Sequence, residues 1–256
     1  MTTTAITTRG DDPPIVALLK QRADEIALAL PAGWTASRFQ STCINVVRAT
    51  PSLTNVVPMT FVASVLLAAQ LGLEPGPPLG LSWIIPRRGK GGNQEAFFQI
   101  GANGYKELAY RSGLVSTIED RIVEEGDDFR YEYGPGGASW MHRSLNVPGR
   151  DWIGAYTNAR LTGGGEIFEY RSKEEIFAHR DRYVPKGAES DSWKNNPEGM
   201  ARKTTVIMVC KKLPKSPEVR SAMIVDGSSP RVLAPDLAGI IEGDLVDEDE
   251  GGESDG

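Results

Sequence analysis

Histidine and cysteine are scarce in this chain. Two histidines, His142 and His179, leave a histidine-based metal site or a catalytic triad without material. The two cysteines, Cys43 and Cys210, lie far apart in apolar helical patterns. They read as buried thiols in a reducing cytoplasm and not as a disulfide. No CxxC, no GxxxxGK followed by Ser or Thr, and no GxSxG occurs. Zinc, P-loop and serine-hydrolase chemistry therefore have no motif behind them. No stretch reaches the roughly 18 apolar residues of a membrane span. Met1 to Gly10 is threonine-rich and lacks the apolar run of a secretory signal.

What is present is charge, unevenly placed. The net charge of −6 hides an acidic end: Asp236, Glu242, Asp244, Asp247, Glu248, Asp249, Glu250, Glu253 and Asp255 have no basic residue among them. Without those nine, 28 basic residues face 25 acidic ones, so residues 1–235 carry a small positive surplus. Such asymmetry suits a body that binds a polyanion and a solvated tail. The expected division is a disordered N-terminus at 1–12, a core domain at 13–231 and a disordered acidic tail at 232–256.

Apolar spacing predicts helices over Ile15 to Leu30, Thr35 to Ala49 and Thr60 to Leu71, with Gly72 capping the third. The period then changes. Leu81 to Pro86 and Ala96 to Ile100 read as a hairpin with a flexible, basic tip around Arg87, Arg88 and Lys90. Asn103 is the expected cap of a helix to Ser112. Further strands are expected at Val115 to Val123, Asp128 to Tyr133, Trp152 to Leu161 and Glu166 to Arg171. Ser172 caps a helix to about Arg182, and Tyr183 to Asn195 reads as a polar loop. Asn196-Pro197 starts a last helix that ends by Pro214. Helices, then mostly sequential strands, then helices give an α+β fold with an antiparallel sheet containing a hairpin, backed by helices.

The last helix sets Val206, Val209, Cys210 and Leu213 on one side. Thr204, Lys211 and Lys212 fall opposite, with Lys203 on the flank. A cationic, hydroxyl-bearing face suits a phosphate backbone, because each lysine that neutralises a phosphate releases a counterion. Arg202 falls nearer the apolar side, where it pairs with a buried carboxylate or reaches around the helix start. On the 103–112 helix Lys106 and Tyr110 lie one turn apart with Arg111 nearby, while Tyr105, Leu108 and Ala109 face the core. Tyr110 is thus the better candidate for stacking on a base. Core packing is the ordinary role of a tryptophan, but Trp193 lies in the polar loop and is the least core-like. The acids Glu119, Asp120, Glu124, Glu125, Asp127 and Asp128 would have to converge to hold magnesium for a nuclease. On a strand and its turn, alternation points them to different faces.

Four stretches taken together resemble one family. They are Gln70-Leu-Gly-Leu-Glu-Pro-Gly-Pro-Pro-Leu-Gly80, Ile100-Gly-Ala-Asn-Gly-Tyr-Lys-Glu-Leu-Ala-Tyr-Arg-Ser-Gly113, the Glu124 to Gly134 run, and Met200-Ala-Arg-Lys-Thr204 followed by Lys211-Lys-Leu-Pro214. In this order they resemble the RecT family of phage-type single-strand DNA annealing proteins, over roughly residues 15–220. The resemblance implies an oligomer that coats single-stranded DNA and anneals it without nucleotide hydrolysis, on a core similar to that of Rad52. It implies groove roles for Lys106, Arg111, Arg202, Lys203, Lys211 and Lys212. It implies no cofactor beyond a structural or DNA-associated magnesium ion. An exonuclease or a host single-strand binding protein is the expected protein partner, in the cytoplasm of a bacterial host. A passive single-strand coating module and a magnesium-dependent nuclease are the competing readings.

Overall fold

The computed structural model describes residues 12–89, 91–135, 137–183 and 191–214. Lys90, the acidic tail and the first eleven residues lie outside the described residues.

The first predicted helix is two: α1 (Pro14–Gln21) and α2 (Ala23–Ala29), separated where Arg22 leaves helical geometry. In α3 (Ala36–Ala49) the buried residues Phe39, Cys43 and Val47 recur every four positions and seal one face. A 3-10 turn (Pro51–Asn55) leads to α4 (Pro58–Leu71), which is buried almost all round. Gly72 ends α4 in the left-handed region at φ 57°, which glycine adopts without a Cβ penalty.

The hairpin forms as expected. Strands β1 (Ser82–Arg88) and β2 (Gln94–Ile100) pair antiparallel from Ser82 opposite Ile100 to Arg88 opposite Gln94. It docks on the two buried hydroxyls of α4: the Ala96 N–H donates to Thr60 Oγ1 at 2.9 Å, and Ser64 Oγ donates to the Ala96 carbonyl at 3.3 Å. Helix α5 (Ala102–Arg111) starts from Gly101, not from Asn103, whose side chain donates instead to the Leu79 carbonyl at 3.0 Å. A Cβ at Gly104 would stand 2.0 Å from the Leu81 carbonyl oxygen. Only glycine lets α5 lie this close to the chain entering β1.

The later strands are β3 (Val115–Glu124), β4 (Asp128–Gly134), β5 (Gly137–Arg143), β6 (Trp152–Leu161) and β7 (Glu166–Ser172). They do not form one sheet of sequential strands. Strands β3, β6 and β7 make an antiparallel sheet in that order, while β4 and β5 pair with each other. Helix α6 (Lys173–Tyr183) opens with a capping box. The Glu175 N–H donates to Ser172 Oγ at 3.3 Å, and the Ser172 N–H donates to Glu175 Oε2 at 2.9 Å. The expected polar loop contains a short helix, α7 (Asp191–Asn195). Helix α8 (Pro197–Lys212) has Pro197 at its first position, and Asn196 Oδ1 accepts the Gly199 N–H at 2.9 Å.

The protein is therefore α+β, built from helices and small antiparallel sheets. Its main core joins α1–α5, the β1–β2 hairpin and one side of α8. No helix among the described residues is long and apolar enough to cross a membrane.

Candidate nucleic-acid interface

Side chains alternate along β3, β6 and β7, so every second residue faces α8. Register places Asp120, Thr157 and Glu169 side by side in one row across the three strands. Each member of the row holds a residue of α8. Asp120 accepts Lys106 of α5 and lies 3.7 Å from a guanidinium nitrogen of Arg202. Thr157 Oγ1 and Thr205 Oγ1 are 2.8 Å apart. Glu169, 3% exposed, accepts both Lys212 and Arg171. Arg202 and Lys212 are ten residues apart, roughly 15 Å of helix. The outer strands are only about 10 Å apart, so α8 must cross the sheet obliquely, pinned near both ends and in the middle.

Several predicted residues are tied down by this row. Lys106 is half-buried against Asp120. Arg202 pairs with the same carboxylate while half its side chain stays exposed. Thr204, expected on the polar face, is buried and donates to the Met200 carbonyl at 2.9 Å. The reason is that α8 is covered on two sides. Val206, Val209, Cys210 and Leu213 meet the main core, whereas Ala201 packs in a second cluster with Trp152, Ala155, Ile176 and Trp193. Lys211 and Lys212 are exposed at the end of the helix, and Lys203 is half-buried on its flank. Burial pushes the Cys210 thiol up to about 12, despite nearby Lys106, and pushes the Cys43 thiol up further. Both thiols are buried, as the sequence indicated.

One other assignment needs correction, that of Trp193, and Arg111 is partly engaged. Arg111 donates to the Leu71 and Gly72 carbonyls, each at 2.6 Å, and to Glu107 at 3.0 Å. It caps the C-terminus of α4, where carbonyls lack helical partners. Trp193 is 7% exposed, beside Phe177, with the Arg180 guanidinium 5.8 Å from its ring. Arg111 keeps 37% of its side chain exposed beside its bonds to α4 and Glu107, whereas Trp193 is not presented to solvent as a stacking group. Tyr110 is 42% exposed, as expected of a stacking candidate, yet its hydroxyl accepts the Ile118 N–H at 2.9 Å. Arg87 and Arg88 are exposed near the hairpin tip, at the far end of α4 from Arg111, and Arg87 donates to Gln99 at 3.4 Å.

The acids of 119–128 diverge, as alternation requires. Asp120 faces α8, whereas Glu119 pairs in register with Asn158 on the other face. Asp127 is buried and fully bonded. His142 Nε2 lies 2.9 Å from Oδ2, and Arg150 and the Leu145 N–H reach Oδ1 at 2.7 and 3.0 Å. Burial raises its carboxyl, but these bonds outweigh burial and hold it well below the usual carboxylate range. Among the described residues no three His, Cys, Asp or Glu side chains are grouped to hold a metal ion.

Around the α8 terminus lie further residues that sequence reasoning passed over: the cations Arg171 on β7 and Arg182 on α6, and the imidazole of His179 on α6. The available signal was the alternation of β7, which sends Phe168 and Tyr170 to one face and Glu169 and Arg171 to the other.

An α+β body with its cations on an open surface, anchored from beneath by carboxylates, is suited to gripping a charged chain. The chain belongs to the RecT family, whose model matches residues 37–228. It is 32% identical over 224 residues to Protein RecT of Escherichia coli K12, covering 86% of this chain and 82% of that one. It is also 28% identical over 184 residues to the uncharacterized protein YqaK of Bacillus subtilis 168, covering 70% of this chain and 60% of that one.

Proposed function

We propose that this protein binds single-stranded DNA and anneals complementary strands in homologous recombination, without nucleotide hydrolysis and as a homo-oligomer. The observation that carries the reading is the exposed cationic end of α8, in a chain of the RecT family. Lys211 and Lys212 meet phosphates, with Lys203 and Arg202 continuing the line. Lys106 positions Arg202 through the carboxylate they share. Arg87, Arg88 and Lys90 grip the strand from the hairpin. Backbone contacts carry no sequence information, so specificity comes from pairing between the two strands. A row of subunits multiplies weak contacts along the strand. The sheet crossed by α8 is the counterpart of a Rad52-like annealing core, and the acidic residues 232–256 are the tail of a core domain at 13–231.

The test is the pairing rate of complementary oligonucleotides with no nucleotide added. Acceleration is expected. Binding with an unchanged pairing rate would leave a passive coating module, and magnesium-dependent strand loss would point to a nuclease. Replacing Lys211 and Lys212 by alanine should flatten the salt dependence of binding by about 0.7 for each phosphate no longer neutralised. An unchanged slope would remove α8 from the interface.

A further inference from the structure

The charged groups at the junction of β7, α6 and α8 are not accounted for by the line of lysines on α8 alone. Arg171 of β7 is held by Glu169 and by Glu175 in the first turn of α6. His179 lies one helical turn beyond Glu175, and Arg182 nearly one turn further along the same face. Lys211 reaches this group from α8, next to Lys212, which shares Glu169 with Arg171. The acids nearby are committed: Glu169 to Arg171 and Lys212, Glu175 to Arg171, and Asp181 to Arg180. The cations around His179 therefore come from three elements: Arg171 from β7, Lys211 from α8 and Arg182 from its own helix. Arg182 and Lys211 are exposed, and His179 is half-buried between them.

We propose that Arg171, His179, Arg182 and Lys211 form a phosphodiester site, and that His179 takes up a proton from solvent when a DNA strand occupies it. This rests on the single-strand binding reading above and extends the strand's path from α8 onto α6. The physical reason is sign reversal. Burial, and then the charges of Lys211, Arg182 and Arg171, push the empty site's imidazole below its ordinary value, so it is neutral at pH 7. A phosphodiester brings a negative charge into the same space and favours the imidazolium. By linkage, a proton gained on binding means that affinity rises as pH falls. The chain's other histidine cannot supply the effect in the same way, because His142 is buried on the opposite side of the sheet between Asp127 and Tyr156.

The experiment measures affinity of the full chain for an oligothymidylate between pH 8 and pH 5.5. Thymine does not titrate there, and ordinary carboxylates stay charged. Wild-type protein should bind about three- to tenfold more tightly at the acid end, a tenfold gain corresponding to one unit of imidazole shift. Both His179→Gln and Arg182→Gln lie on the outer face of α6, and their melting curves check the fold. H179Q should abolish the pH dependence, whereas R182Q should lower the salt slope and retain the pH dependence. A wild-type profile that is flat while binding persists overturns this site alone, as does an H179Q protein with the full pH dependence. A wild-type protein that binds no strand at any pH overturns the functional reading, and this site with it.

Discussion

The two faces of the β3-β6-β7 sheet are made from alternate residues of the same strands, yet they are built from different chemistry. The face toward α8 carries Asp120, Thr157 and Glu169, and it holds a helix by ion pairs and a hydroxyl pair set among the apolar Ile118, Ala155 and Ala159. The opposite face carries Tyr156, Phe168 and Tyr170, covered by the β4–β5 hairpin mainly through rings, with the Tyr133 hydroxyl donating to the Phe168 carbonyl and His142 Nδ1 3.3 Å from the Tyr156 hydroxyl. Phe168 stacks on Trp140 at 5.1 Å between centroids, Phe129 stacks on Tyr156 at 5.8 Å, and Tyr131 leans on Tyr170 at 4.9 Å. His142 and Asp127 lock the hairpin's open end. One face is fastened by non-directional burial. The other positions charges, and its carboxylates compete with any phosphate for the same cations. One side of the sheet thus supplies stability, and the other carries the cations to which the proposed function assigns binding.

The largest way to test that division is Phe168→Ala. It removes a buried ring from the aromatic face and should cost about 3–5 kcal/mol in denaturant unfolding. The salt slope of strand binding should stay the same for the protein that remains folded. A changed slope would show that the two faces are not separable.

Asp127→Asn comes next, at about 3 kcal/mol, because it removes the buried carboxylate that Arg150, His142 and the Leu145 N–H share and leaves Arg150 with the Glu124 carboxylate alone. The folded carboxyl is lowered, so its contribution is complete above the unfolded value of about 4 and is lost as pH falls toward the lower folded value. Wild type should therefore lose stability on acidification below about pH 4, and D127N should lose less over the same interval. Parallel curves would remove Asp127 from the acid response.

The smallest effect is expected on the other face. Glu169→Gln removes the carboxylate shared by Lys212 and Arg171 and leaves one amide oxygen where two carboxylate oxygens accepted. The cost should be only about 1–2 kcal/mol, because that oxygen keeps Arg171 and the exposed Lys212 moves into water. Strand affinity at low salt should rise a few-fold and the salt slope should steepen by up to about 0.7. Weaker binding would mean that Glu169 serves the interface by positioning Lys212 and not by competing for it.

Much of the fold was legible in the residues. The four-residue recurrence of Phe39, Cys43 and Val47, the apolar run of α4 ending at Gly72, and the Asn196-Pro197 start of α8 are local signals with local causes. The break at Arg22 and the short helix around Trp193 were not legible, because neither has a periodicity of its own. Strand β5 was also missed, since Gly137–Arg143 alternates small, aromatic and polar residues and owes its pairing to β4. Of the candidate site, Lys211 and Lys212 lie on the surface where helical spacing placed them. Arg111 is exposed as well but spends its guanidinium on α4, and Trp193 is buried, because helical position or loop composition cannot reveal a carbonyl to cap at Leu71 or an apolar partner at Phe177.

What the sequence determined by itself was the inventory: a family, an α+β succession, two thiols and two imidazoles with no common catalytic motif around them, and cations gathered at the end of one helix. Those follow from composition and spacing within a few turns of chain. Tertiary structure decided which cations are tied down. Asp120, Thr157 and Glu169 come from three separate strands and stand in one row only once β6 has paired with both neighbours. A charge is engaged or available according to what lies within a few ångströms of it, and that distance is set by sheet register.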